Sequence, residues 1–266
     1  MSRSAVSGTF RLAAFRRLAA VLWLLVVLPA PADSQGTTQV SIEEWTVPWS
    51  ETRPRGPFVA DDGRVWFVGQ IGDYVATLDP TTGKFERHDL PEGTGPHNLI
   101  VAESGTVYLA GNRTADIQIL ESDPTSHSRL PMPDSGARDP HTLVFAPDSS
   151  IWLTVQHGNR VGHLRPGGSG KGSVRLVTVP TPNSRPYGIV VDSTGRPWFL
   201  ETGLDPNRFV GFDPATEAFF SITPIPSGAG SVRHMFYDRS REQVWFGTDA
   251  GTIGRAVIDV PAADRR

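Results

Sequence analysis

Short apolar runs alternate with turn sequences rich in glycine, proline and aspartate between residues 41 and 259. Within the runs, apolar and polar positions alternate with a period of two, which indicates β-strands. In the first such unit the pattern predicts strands at residues 56–60, 64–68, 74–78 and 85–91. Turns built on aspartate, proline and glycine separate these strands, so the unit predicts a four-stranded antiparallel sheet.

The same unit recurs five times along the chain. An aromatic residue marks the second strand of each copy, at intervals of 42 to 47 residues: Trp66, Tyr108, Trp152, Trp198 and Trp245. A strand-and-turn repeat of this length is typical of a β-propeller, in which each copy forms one blade. We therefore predict an all-β fold, a β-propeller of five four-stranded blades, with the repeated aromatic residues in the core between blades.

The two ends of the repeat are complementary. Residues 41–48 resemble an outer strand but precede the first unit, whereas the last unit ends at Asp259 without an outer strand. We expect the N-terminal segment to pair with the last blade, because this closes the ring and removes two exposed sheet edges.

The N-terminal segment has the composition of a secretory signal peptide. Four arginines precede the apolar run at residues 18–28, and Ala30-Pro31-Ala32 follows it. The run is short for a membrane span, although an uncleaved anchor remains the alternative. We expect a signal peptide at 1–32, a polar leader at 33–40, the propeller at 41–260 and a polar tail at 261–266. This predicts a periplasmic or secreted protein without a membrane span after cleavage.

Charge and cysteine content narrow the function. The formal net charge is −3, and removal of the four arginines in residues 1–32 makes it −7. An acidic chain is a poor partner for nucleic acid. The sequence has no cysteine, so neither disulfides nor a catalytic thiol is available. We expect a monomer that binds a small molecule or a cyclic peptide.

A propeller brings equivalent positions of its units together around one axis. The residues just before the first strand of each unit are Arg55, His97, His141, Tyr187 and His234. A second set follows the aromatic residue by four positions: Gln70, Asn112, Gln156, Thr202 and Asp249. Imidazole is both a base near neutral pH and a metal ligand, so three histidines in one ring predict a functional pocket. The other histidines, such as His157, fall outside the ring and are interpreted as surface residues.

Several runs resemble the blades of virginiamycin B (streptogramin B) lyases. They are Arg185-Pro186-Tyr187-Gly188-Ile189, Trp198-Phe199-Leu200-Glu201 and Thr252-Ile253-Gly254-Arg255-Ala256. The resemblance covers residues 41–259 and implies a propeller, although that family has seven blades and this chain has five units. It also implies a Mg²⁺-dependent elimination that opens the ester of a cyclic depsipeptide.

The resemblance further implies roles for the ring residues. His141 or His234 would act as general base on the proton α to a carbonyl, and Mg²⁺ would polarise that carbonyl. The expected substrate contacts are His97, Tyr187 and Arg55, and the expected metal ligands are Asp139, Gln156 and Asp249. Asp139 and Gln156 stand where the family has glutamate.

Other interpretations remain open from the residues themselves. The ring histidines can serve as hydrogen-bond partners of backbone carbonyls, Asp139 as a turn residue before Pro140, and Arg55 as a solvated or salt-bridged arginine. The lyase-like function is the leading hypothesis, and its main alternative is a non-catalytic propeller that binds a peptide, sugar or protein. A metal-dependent lactonase is a third possibility.

Overall fold

The computed structural model describes residues 42–121, 127–168 and 171–258. Two compact units divide the chain, Met1–Glu44 and Trp45–Arg266, and the strands of the described residues all lie in the second. The expected signal peptide, leader and C-terminal tail fall outside the described residues, so these bounds stay predictions. Among the described residues, no helix has the length and hydropathy of a membrane span.

The strands form five antiparallel sheets, each made of consecutive strands. Blade 1 contains β1 (Pro54–Val59), β2 (Val65–Gly69), β3 (Tyr74–Asp79) and β4 (Lys84–Asp89). Blade 2 contains β5 (Pro96–Val101), β6 (Val107–Gly111), β7 (Asp116–Leu120) and β8 (His127–Pro131). Blade 3 contains β9 (Pro140–Phe145), β10 (Ile151–Val155), β11 (Arg160–Gly167) and β12 (Lys171–Thr178).

The last two sheets complete the propeller. Blade 4 contains β13 (Pro186–Val191), β14 (Pro197–Glu201), β15 (Arg208–Asp213) and β16 (Ala218–Pro224). Blade 5 contains β17 (Met235–Asp238), β18 (Gln243–Gly247) and β19 (Ile253–Val257), so the described residues give it three strands. The predicted all-β propeller of five blades is confirmed. The physical reason for this fold is that a sheet with apolar residues on both faces can bury them only against neighbouring sheets.

The core lies between the faces of successive blades. Trp152 of blade 3 is 2% exposed and packs in one cluster with Ile189, Phe199 and Val210 of blade 4. Equivalent clusters join blade 1 to blade 2, blade 2 to blade 3 and blade 4 to blade 5. These faces therefore fix how each blade is oriented relative to the next.

An irregularity in the first strand of blades 1 to 4 positions the axial residues. In blade 2 the pairing shifts by one residue between Pro96 and Leu99, and in blade 4 between Pro186 and Ile189. Such a β-bulge turns a side chain out of the regular alternation. His97 and Tyr187 lie within these two bulges, which aims them away from the packed faces.

The expected closure by an N-terminal strand is wrong. The described part of that segment, residues 42–48, contains no strand. Instead Trp45, Val47 and Trp49 pack on the face of blade 1 opposite blade 2, and Trp49 meets Tyr74 edge to face at 5.2 Å between ring centroids. Partial burial of the two indole rings on this face stabilises the observed position.

Blade 5 therefore keeps an exposed face. Phe236 is 64% exposed, Trp245 39% and Ile253 76%. Within the described residues, no strand pairs with the outer edge of β19. Trp245 thus departs from the expectation that every repeated aromatic residue is buried between blades, because no further blade packs against it.

Replacement of two equivalent tryptophans should measure this difference. We expect Trp152→Ala to lower the free energy of unfolding by about 3–5 kcal/mol, as is usual for a large buried aromatic side chain. Trp245→Ala should cost about 1 kcal/mol, because its side chain is already partly in water. Urea denaturation of both variants checks this. Equal losses would show that another surface covers Trp245 in solution.

Candidate ligand-binding site on the propeller axis

Three rings from three successive blades meet near the axis. The ring centroids of His97 and His141 lie 3.6 Å apart, and those of His141 and Tyr187 lie 4.0 Å apart. His97 and Tyr187 are 6.1 Å apart. We call these side chains the axial ring cluster. They come from sequence positions 44 and 46 residues apart, which the repeat predicts to be equivalent.

Hydrogen bonds between blades hold the strands that carry the cluster. Asn98 of blade 2 accepts a bond from the backbone N–H of Leu143 in blade 3 at 2.9 Å. The Thr154 hydroxyl of blade 3 donates to the carbonyl of Tyr187 in blade 4 at 2.7 Å. Because both bonds lie next to cluster residues, they fix the relative positions of the three rings.

Burial keeps both histidines of the cluster neutral at physiological pH. Burial, together with repulsion from the nearby His97 and Arg55, lowers the pKa of His141 to about 2. Burial also lowers the pKa of His97 to about 3, with added repulsion from Arg55 and Arg53. His97 Nδ1 is buried and has no hydrogen-bond partner in the described structure. A neutral imidazole with a free ring nitrogen can donate to or accept from a ligand.

Arg55 lies at the equivalent position of blade 1. Its guanidinium donates to the side-chain oxygen of Gln70 at 2.8 Å, and Gln70 is 6% exposed. Arg55 and Gln70 belong to the two sets of equivalent axial positions that the repeat predicts. The structure thus brings Arg55, His97, His141 and Tyr187 to one end of the propeller.

Asp139 is turned toward neighbouring loops. Its carboxylate accepts hydrogen bonds from the Asn112 amide of blade 2 and from His157, which follows β10 of blade 3. Burial raises the pKa of Asp139, while the hydrogen bond from His157 opposes this effect. Its backbone is left-handed, with φ of 69°. Asp139 therefore links blades 2 and 3, which agrees with the alternative that it has a structural role.

The expected register is wrong at His234. In blade 4 Val190 pairs with Trp198, and in blade 5 Phe236 pairs with the equivalent Trp245. Strand β17 is thus shifted by one residue, because the turn between Asp238 and Gln243 is one residue longer. Arg233, and not His234, occupies the position of Tyr187. Arg233 forms an ion pair with Asp249, and His234 is exposed.

The residues expected to bind Mg²⁺ do not form a matching set of ligands. Asp139 is engaged by Asn112 and His157, Asp249 by Arg233, and Gln156 contributes one neutral oxygen. The described residues contain no group of three or more His, Asp or Glu side chains arranged to hold a metal ion. Mg²⁺ prefers several oxygen ligands, most of them anionic. Metal binding at these positions stays a prediction without geometric support.

Sequence reasoning missed three residues near the site. Arg233 could have been found from the longer turn in the last unit. His157 was interpreted as a surface residue, and 59% of its side chain is exposed, yet it holds Asp139. Asn98 carries no signal in the sequence, because its role depends on which neighbouring strand it reaches.

Comparison with known proteins identifies the fold but gives no sequence relative. The chain matches no protein-family model and no curated protein sequence. Virginiamycin B lyase from Staphylococcus aureus has a similar structure, with 21% identity and a TM-score of 0.70, over 80% of this chain and 69% of that chain. A streptogramin B lyase has 22% identity and a TM-score of 0.68, over 84% of this chain and 74% of that chain.

Propellers of other activities are also similar. A gluconolactonase from Xanthomonas campestris has 17% identity and a TM-score of 0.55, over 77% of this chain and 72% of that chain. The resemblance to virginiamycin B lyase-like propellers is confirmed for the fold. Sequence identities this low do not show that two proteins with the same fold share an activity.

Removal of the Asp139 carboxylate tests its structural role. Asp139→Ala should lower the free energy of unfolding by about 1–3 kcal/mol, because it leaves two polar partners unpaired. Asp134→Ala is the control; it removes an exposed ion pair with Arg160 and should cost less. A rise in wild-type melting temperature with Mg²⁺ that Asp139→Ala abolishes would instead support a metal site.

The buried histidines predict a loss of stability in mild acid. The pKa of His141 is about 2 in the folded state, against an ordinary value of 6.5. As pH falls below that ordinary value, the unfolded chain takes up a proton that the folded protein excludes, so the free energy of unfolding falls. For one such group the loss between pH 6.5 and pH 5 is about 2 kcal/mol.

His141→Gln should remove this contribution. Urea denaturation at pH 7 and pH 5 should show a loss about 2 kcal/mol smaller than in the wild type. His234→Gln, which replaces an exposed imidazole, should leave the wild-type loss in place. An unchanged loss in His141→Gln would contradict the burial of a neutral imidazole.

Proposed function

We propose that the axial ring cluster binds a small molecule or a cyclic peptide at one end of the propeller. The observation that carries this proposal is the contact of His97, His141 and Tyr187 from three blades, with His97 Nδ1 buried and unpaired. A buried polar atom without a partner costs free energy unless a ligand or water satisfies it. The position of this unpaired His97 nitrogen among aromatic rings favours ligand binding over a purely structural role.

The chemistry of the cluster suits carbonyl-bearing ligands. Two neutral imidazoles and a phenol offer donors and acceptors, and their ring faces offer apolar contact. Arg55 adds a cationic donor beside them. Peptide and ester groups present the matching carbonyl acceptors, so a peptide-like ligand fits this set.

A second candidate function is elimination at the ester of a cyclic depsipeptide. The similar solved lyases favour it, together with the unprotonated state of His141. His141 would take the proton α to a carbonyl, the β carbon–oxygen bond would break to form a double bond, and the ester would leave as a carboxylate. Because burial makes His141 a weak base, the reaction requires the developing negative charge of the substrate to stabilise the imidazolium.

A type B streptogramin such as quinupristin tests both candidates. We expect binding by isothermal titration calorimetry, with His97→Ala and His141→Ala each raising Kd about tenfold or more. His88→Ala, a histidine on β4 of blade 1, serves as the matched control and should bind like the wild type. Wild-type affinity in both cluster variants would refute the proposed site.

Mass spectrometry of the same mixtures separates the reactions. Elimination opens the ring without a change of mass, whereas hydrolysis adds the mass of one water. A ring-opened product of unchanged mass that His141→Ala no longer forms would establish the lyase. Binding without any product would establish the non-catalytic propeller.

A further inference from the structure

Arg55 is a cation near the axis without an anionic partner. Its guanidinium bonds to the neutral Gln70, and among the described residues no carboxylate lies within ion-pair distance of it. Other partly buried arginines of the propeller are neutralised: Arg196 pairs with Asp192, which is 0% exposed, and Arg208 pairs with Glu201, which is 1% exposed. A partly buried charge is normally compensated, so Arg55 stands apart.

The charge of Arg55 acts on the axial ring cluster. Its positive charge disfavours protonation of both His97 and His141, which lie at the equivalent positions of the next two blades. The exposed Arg53 adds positive charge at His97. The carboxylate of Asp139 does not pair with Arg55; it accepts hydrogen bonds from Asn112 and His157 instead.

The donors of Arg55 remain largely available. A guanidinium carries five N–H groups in a planar fork, and the structure gives one of them to Gln70. That fork matches the two oxygens of a carboxylate. A phosphate monoester would bring about two negative charges, more than a single guanidinium balances.

We propose that the ligand of the axial ring cluster carries a carboxylate that binds Arg55, with the rest of the ligand against His97, His141 and Tyr187. This inference rests on the proposed function, because it names the ligand class of the same site. A carboxylate is also the leaving group in the elimination of an ester, so Arg55 is placed to stabilise the charge that develops there.

Three probes of one shape and different charge test the inference: benzoate, benzamide and benzamidine. Each is titrated into the purified protein at neutral pH, while the NMR signals of the His97 and His141 rings are followed. We expect benzoate to bind at least tenfold more tightly than benzamide, and benzamidine to bind most weakly. Added salt should reduce the preference for benzoate.

Arginine variants test whether Arg55 causes the preference for benzoate over benzamide. Arg55→Gln should remove the difference between benzoate and benzamide, and Arg55→Lys should keep part of it because it keeps the charge. Arg64→Gln, which removes a cation paired with Asp62 in the turn between β1 and β2, should behave like the wild type. A wild-type melting temperature and unchanged backbone amide signals of the inner strands of blades 2 to 4 in the ligand-free Arg55 variants show that the site has kept its structure.

The outcomes separate the two proposals. Equal binding of benzoate and benzamide would overturn the carboxylate inference and leave ligand binding intact. A benzoate preference that survives Arg55→Gln would overturn the role of Arg55. If none of the three probes shifts the His97 and His141 signals while quinupristin does, the carboxylate inference fails alone; if quinupristin also fails, the proposed site fails as well.

Discussion

Burial of each blade face against the next blade is the constraint on which the propeller depends. A single sheet with two apolar faces gains little by itself, whereas Trp152 becomes almost inaccessible once blade 4 covers it. The same packing brings the first strands of successive blades side by side. The axial ring cluster exists because blades 2, 3 and 4 are held in this way.

The electrostatics of the site follow from the same packing. Exclusion of water from between the inner strands keeps His97 and His141 neutral, and it leaves Arg55 as the uncompensated charge beside them. The carboxylate of Asp139, which the family pattern suggested as a metal ligand, accepts hydrogen bonds from Asn112 and His157 and links two blades. These features support the proposed binding of a carbonyl or carboxylate group, and metal binding stays a prediction.

The fold is shared by lyases and lactonases, so it does not decide the activity. What distinguishes this chain is the particular set of side chains near its axis, which includes Arg55, the neutral His97 and His141, and Tyr187. Those residues determine which ligand chemistry is favourable, and the scaffold determines only that they meet.

The repeat and most of the axial residues can be read from the amino-acid sequence. Alternation of apolar residues fixes the strands, and constant spacing to the aromatic residue of the second strand identifies Arg55, His97, His141 and Tyr187 as equivalent. Both signals are local, because they depend on strand period and turn length. These two signals predicted the strands and the axial residues of blades 1 to 4.

The remaining features depend on contacts between distant segments, so they follow from the assembled blades and not from local patterns. Trp49 packs on the outer face of blade 1 against Tyr74, a contact that no local pattern reveals. Asp139 and His157 meet across loops, and the one-residue shift of β17 places Arg233 where His234 was expected. The neutrality of the histidines likewise comes from burial, which is a property of the assembled blades.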